Sequence, residues 1–399
     1  MRKMLSILIF ILGCNQLWAA SFKTNKYEFS INAYLDIEST WMSQMAMSMG
    51  SSEGPGVMKM DQQFTLDQNH LNLIFSAIRK KTRVYLNYES RHTFSTFDGD
   101  TGILGRDGNG SDNNVGSFRV AEAYGEYNFT QYFKVRGGSF LAPFGIFNEL
   151  RYATPLFATI VLPFIYEMPG NYRAPPLIPS NANIMFHGNI GTKRVDLSYN
   201  AYIGASKRNN NDSPRSVDSG TGLENTKNKT FGGKLHASFR EGKYSIGVSF
   251  NYTEFPDILN NVTNTKNHSS MLKGIELELY LPYNFHLQAE HVSQSNPEGK
   301  SDTLGKTKWG YYSRLMYEKY KLTPFIMYDV FKDPNETVYR FKNNRFGIGA
   351  GYKISKNFYI KSEWHWHWFS SQPFGTGIQV NTSGPKETRM FRSSMIFFF

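Results

Sequence analysis

Residues 28–38 read EFSINAYLDIE. Phe29, Ile31, Ala33, Leu35 and Ile37 fall on one parity, and Ser30, Asn32, Tyr34, Asp36 and Glu38 on the other. Successive side chains of a strand point to opposite faces, so this stretch predicts a strand with one apolar and one wet face. The same two-residue period recurs along the chain. In residues 271–281, Ile275, Leu277 and Leu279 alternate with Glu276 and Glu278. The fold class this implies is all-β.

Composition says what the apolar faces meet. The chain has 399 residues, is 16% aromatic with 24 Tyr and 32 Phe, and has a mean hydropathy of −0.45. A helical membrane protein needs apolar runs of about 18 or more residues, and none follows the first 20 residues,. A soluble protein rarely carries so many aromatics. A transmembrane antiparallel β-barrel accounts for both facts. Only one face of each strand meets lipid, and Tyr, Trp and Phe gather at the interfaces. Closure lets every backbone group find a partner in lipid.

The two ends agree. MRKMLSILIFILGCNQLWAA places Arg2 and Lys3 before an apolar core and ends on Ala19 and Ala20, which reads as a secretory signal peptide over residues 1–20,. Residues 21–399 are then a single barrel domain, because a barrel cannot be cut into halves. Ile11-Leu12-Gly13-Cys14 also resembles a lipobox, with Cys14 lipidated as the alternative. If Cys14 leaves with the signal, the exported protein is held without disulfides. At the far end, MFRSSMIFFF puts Phe391, Met395, Phe397 and Phe399 on one parity. A carboxy-terminal Phe399 on an alternating strand resembles the signal read by the barrel-assembly machinery of the Gram-negative outer membrane. The localisation expected is therefore the outer membrane of a Gram-negative bacterium.

Taken in order, the alternating segments number about sixteen, an even count that puts both termini on the periplasmic side,. Short turns such as Arg79-Lys80-Lys81 and Glu241-Gly242-Lys243 alternate with long polar connections, as expected for short periplasmic turns and long external loops,. The long connections begin with residues 42–63, 93–116, 142–183 and 204–229, and 255–269 is the fifth.

Residues 142–183, APFGIFNELRYATPLFATIVLPFIYEMPGNYRAPPLIPSNAN, break the pattern. Pro143, Pro155, Pro163, Pro169, Pro175, Pro176 and Pro179 each remove a ladder donor,. The stretch is too apolar for disorder and too long for an idle connection. It is expected to fold into the lumen as the third long loop. A barrel of this size has an aqueous lumen that an inward loop would narrow. The candidate pore-lining residues are Glu149, Arg151, Glu167 and Arg173 on the loop, with Lys134, Arg136, Arg83 and Arg194 on the inner wall. Glu290, Glu363 and Arg345 are among the other inward charges, whose signs nearly balance. These charges either line the pore or pin the loop to the wall.

Other constellations are weaker. Glu363, His365 and His367 alternate with Trp364, Trp366 and Trp368, a spacing that could hold zinc but fits a lumen wall beneath an aromatic girdle better,. Asp98, Asp100, Asp107 and Asp112 lie among glycines without the closing Glu of a calcium loop,. The Met-rich loop lacks His and Cys,. No G-x-S-x-G elbow or G-x-x-x-x-G-K cradle occurs, and Ser198 and Ser249 face inward, away from the outer wall a barrel lipase would use,. No cofactor and no enzymatic step is expected. The net charge of +11 implies attraction to anions or to lipopolysaccharide, and no nucleic acid partner, because the basic residues are scattered,.

Val135-Arg-Gly-Gly-Ser-Phe-Leu-Ala-Pro-Phe-Gly145, followed by Asn148-Glu149 and preceded by Ala121-Glu-Ala-Tyr124, resembles the segment before the third loop of the phosphate-selective porin family and its relatives. The resemblance covers about thirty residues closely and implies a sixteen-stranded porin, a homotrimer in outer-membrane lipid, passing small hydrophilic solutes such as anions,. It does not extend to phosphate selectivity, since acidic residues interrupt the inner wall and only Lys227 and Lys229 stand in for a basic loop. The alternative from another class is a closed barrel serving adhesion or recognition through its external loops.

Overall fold

The computed structural model describes residues 20–23, 27–42, 46–51, 54–59, 63–92, 117–151, 153, 157–166, 179, 181–192, 194–205, 229–259, 262–295, 307–333, 341–370 and 387–399. Sixteen strands form the wall: β1 Glu28–Met42, β2 Gln63–Arg79, β3 Thr82–His92, β4 Ser117–Asn128, β5 Lys134–Leu141, β6 Asn181–Gly191, β7 Val195–Ala205 and β8 Lys229–Phe239 in the first half. The second half is β9 Tyr244–Leu259, β10 Val262–Leu281, β11 Phe285–Ser295, β12 Lys308–Tyr317, β13 Leu322–Asp333, β14 Phe341–Lys353, β15 Phe358–Ser370 and β16 Glu387–Phe398. Each pairs antiparallel with its sequence neighbours.

β16 pairs antiparallel with β1, so the sheet closes and leaves no edge,. Phe399 completes the seam by exchanging both backbone hydrogen bonds with Ala33, at 3.1 and 2.8 Å. A short strand, Ala20–Lys23, continues on the same side of β1, with Lys23 opposite Glu28. The alternation resolves as expected: Phe29 and Ile31 are each 40% exposed, whereas Asp36 is 1% exposed.

Three expectations change. Strict alternation from Ala123, Gly125 and Tyr127 would turn Ala121 outward, yet it is buried against Leu141. The register of β3 against β4 shifts between Asn87 and Tyr88, which pair with Glu122 and Val120. Ala121 is the extra residue of this bulge, and the bulge lets Val120 point outward in its place. The polar run 255–269 is not a loop: β9 and β10 stay paired as far as Leu259 and Val262. The β-branched Val262, Thr263 and Thr265 favour strand, and the register shifts between Pro256, which lacks a ladder donor, and Ile258,. Inside the first long connection, Ala46–Ser51 and Gly54–Lys59 form a separate hairpin.

Candidate functional site

The described residues of the third long connection, 142–151, 153 and 157–166, include a buried set that packs against the wall. β5 shifts register against β6 between Gly137 and Phe140 and ends at Leu141. Gly138 sits at φ 141°, and a Cβ there would come 2.2 Å from the Ala123 carbonyl oxygen. Only glycine permits that approach. Glu122 then accepts the Leu141 N–H at 3.1 Å, and Ala142, Pro143 and Phe144 run into the interior.

The first arm of the loop is held against β8 to β11. Gly145 turns the chain at φ 62°, its N–H donating to Ser249 Oγ at 3.1 Å and its carbonyl accepting from Lys234 Nζ at 2.6 Å. Lys234 also meets Glu276 at 2.8 Å. Glu290 takes the Ile146 N–H at 3.3 Å and the Tyr166 hydroxyl at 2.6 Å, and that hydroxyl accepts the Phe147 N–H at 3.1 Å. Asn148 Nδ2 closes the arm on the Ala142 carbonyl at 2.7 Å.

The second arm lies along β12 to β15. Glu363 receives the N–H groups of Ile160 at 3.0 Å and Val161 at 2.7 Å, one on each oxygen. Asp329 receives the Phe164 N–H at 3.0 Å and accepts from Nε and Nη2 of Arg345, whose Nη2 also donates to the Leu162 carbonyl at 2.7 Å. Arg314 donates to Thr159 Oγ1 at 3.0 Å and lies over the Phe147 ring. These N–H groups are buried without a ladder, so each needs an acceptor, and the wall supplies carboxylates.

Apolar contacts complete the seat. Phe144, Phe147, Phe157, Leu162, Phe164 and Ile165 pack with Leu272, Val292, Tyr312 and Phe331 from the inner faces of β10 to β13. Inward glycines make room. A Cβ on Gly274 would stand 3.2 Å from the Phe144 ring, and one on Gly310 would stand 2.6 Å from Ile165 Cγ2.

The sequence-derived candidates divide. Lys134 and Arg136 are half-buried on β5; Arg136 pairs with Glu126 at 2.9 Å and lies 4.2 Å from the Tyr124 ring centroid. Arg83 is half-buried on β3, donating to Ser76 Oγ at 3.3 Å. On the loop, Glu149 is exposed and Arg151 half-buried, while Glu167 and Arg173 lie outside the described residues. Arg194 is placed in the turn between β6 and β7, exposed at the short-turn end. The Thr192 hydroxyl accepts the N–H groups of Arg194 at 3.3 Å and Val195 at 3.0 Å, which holds Arg194 out of the strand. Residues 1–19 of the expected signal peptide, Cys14 among them, the 93–116 loop and Lys227 also lie outside the described residues, while Ala20 belongs to the short strand Ala20–Lys23.

The anchors Glu290, Glu363 and Arg345 were legible as inward charges; Asp329 was missed, though it shares the inward parity of Phe331. A carboxylate isolated among apolar inward residues was the signal available. The His365 and His367 side chains are buried on the inner wall, and among the described residues no group of three or more potential ligands could hold a metal.

No family model and no curated protein matches the sequence. The fold, by contrast, matches solved outer-membrane structures. The outer-membrane channel DcaP of Acinetobacter baumannii aligns with a TM-score of 0.55 at 12% identity, covering 95% of this chain and 100% of that one. The anion-selective porin of Comamonas acidovorans aligns with a TM-score of 0.55 at 13% identity, covering 94% and 100%. OmpF of Salmonella typhi, in complex with daunomycin, aligns with a TM-score of 0.54 at 10% identity, covering 95% and 100%. At these identities the likeness establishes the porin-like barrel fold, and the phosphate-selective family is not singled out.

Proposed function

We propose that the chain is an outer-membrane porin through which small hydrophilic solutes and ions diffuse passively, with residues 142–183 as its constriction loop. The observation that carries this reading is the inward third loop, seated on one half of a sixteen-stranded wall. A closed adhesion barrel has no use for a loop built against an internal wall. Diffusion needs no chemical step, so the protein acts as a channel and not as an enzyme.

The seating also biases the field of the remaining lumen. Glu290, Asp329 and Glu363 are committed to loop N–H groups. On the facing wall, β3 to β6, Arg83, Lys134 and Arg136 remain half-buried, and of these Arg136 meets an acid. Facing charges in a narrow pore set selectivity. The channel therefore favours anions, with Arg151 and Arg173 on the loop side adding to the basic wall and Glu149 and Glu167 moderating it. Purified protein in a planar bilayer tests this: it should open stepwise currents whose reversal potential in a salt gradient has the sign of anion preference. Insertion without current steps would refute the channel, and a cation-selective sign would refute the charge argument.

A further inference from the structure

The short-turn rim of the barrel is both cationic and aromatic, and the lumen uses neither property. Arg79, Lys80 and Lys81 lie at the β2–β3 turn, Arg240 and Lys243 flank the β8–β9 turn, and Lys319 and Lys321 the β12–β13 turn. Among the described residues none of these cations joins an ion pair. They are positioned without being neutralised. Lys81 Nζ donates to the Phe129 carbonyl at 3.1 Å and Lys321 Nζ to the Ile354 carbonyl at 3.3 Å. Arg79 lies 5.1 Å from the Tyr27 ring centroid and Arg240 5.6 Å from that of Tyr244. The acidic residues in these turns are Glu241 and Glu318, and Glu318 is turned to His286 at 2.9 Å.

Aromatic side chains stand at the same level. Phe29, Tyr127, Phe239, Tyr280, Phe285 and Tyr352 are exposed on the outer wall within a few residues of the turns. Two turn tips carry tyrosines, Tyr283 at φ 63° and Tyr320 at φ 67°, 84% and 86% exposed. Glycine or asparagine would occupy the left-handed region at lower steric cost. Amphipathic rings of this kind settle at the boundary between hydrocarbon and water.

We propose that this rim binds the phosphate headgroups of acidic phospholipids in the leaflet that meets the short turns. At two of the three turns the cations adjoin aromatics: Arg240 follows Phe239, Lys243 precedes Tyr244, and Lys319 and Lys321 flank Tyr320. That places ammonium and guanidinium groups just beyond the hydrocarbon, at headgroup depth. They are also spread around the perimeter, which suits a ring of lipids better than one soluble acidic protein.

The test uses the full-length barrel in nanodiscs of mixed phosphatidylglycerol and phosphatidylcholine, with lipid retained on the protein counted by native mass spectrometry. Acidic lipid should be preferred by about fivefold per cationic site, and the preference should fall as salt rises above ~0.15 M. K80Q/K81Q/R240Q/K243Q should lower the preference severalfold while bilayer conductance stays unchanged. Equal retention of the two lipids by the native barrel would overturn the proposal. So would a preference that salt does not touch, a variant that keeps it, or capture of acidic peptidoglycan fragments without any lipid preference. The salt titration on native protein decides the matter even if the variant fails to fold.

Discussion

Replacing Glu363 by alanine isolates the docking of the loop from the integrity of the barrel. Glu363 lies on β15, and its two oxygens accept the N–H groups of Ile160 and Val161 at 3.0 and 2.7 Å. All three residues are buried. The backbone ladders of β15 to β14 and β16 do not depend on the side chain, so the barrel should still close. A hydrogen bond to a charged group contributes ~1.5–3 kcal/mol, so the loss of both weakens docking by about 3–6 kcal/mol before any relaxation. Even ~3 kcal/mol shifts the ratio of docked to released loop by about a hundredfold. The assay is single-channel recording. E363A should show a larger or flickering conductance where the native channel is steady, and E363Q, which keeps one acceptor oxygen in place, should fall between. Native-like, quiet conductance from a correctly folded E363A barrel would refute the idea that wall carboxylates hold the constriction.

Gly145→Ala should give a similar loosening, because the new methyl would sit 1.9 Å from Glu290 Oε1 in a left-handed backbone, and the same recordings check it. Gly310→Val should displace Ile165 and widen the pore, read as a higher exclusion limit for neutral sugars in liposome swelling. Neutralising Lys134 and Arg136 together should move the reversal potential toward cation selectivity, as should neutralising Arg151 and Arg173; no shift in either would make those charges structural. At the β12–β13 turn, the hydrogen bond from His286 of β11 holds the pKa of the Glu318 carboxyl below its ordinary value. A depressed carboxylate stabilises the fold above its unfolded-state value and loses that contribution as pH falls through the folded one. The heat-unfolding midpoint should therefore drop less on acidification in E318Q than in the native barrel.

Alternation made most of the barrel legible. Asp36 and Phe29 could be assigned to opposite faces from their parity alone, because a strand has no other way to place them. Polar sequence hid strand in β9 and β10 beyond Phe255, since a ladder without alternating apolar residues leaves no periodic signal,. A single inserted residue was enough to mislead at Ala121, because periodicity cannot see a bulge.

The strand period, the aromatic content and the proline-rich interruption at 142–183 belong to the chain itself, and they sufficed for the barrel, its strand number and the identity of its irregular loop. Where that loop rests did not. Phe164 donates to Asp329, 165 positions away, and Ile160 to Glu363, 203 positions away. Ile165 needs the absence of a side chain at Gly310. Local pattern reflects neighbours two to four residues apart, whereas these contacts exist only once closure has set β5 across the lumen from β12 to β15. Tertiary structure alone therefore decided which inward charges serve the loop and which do not.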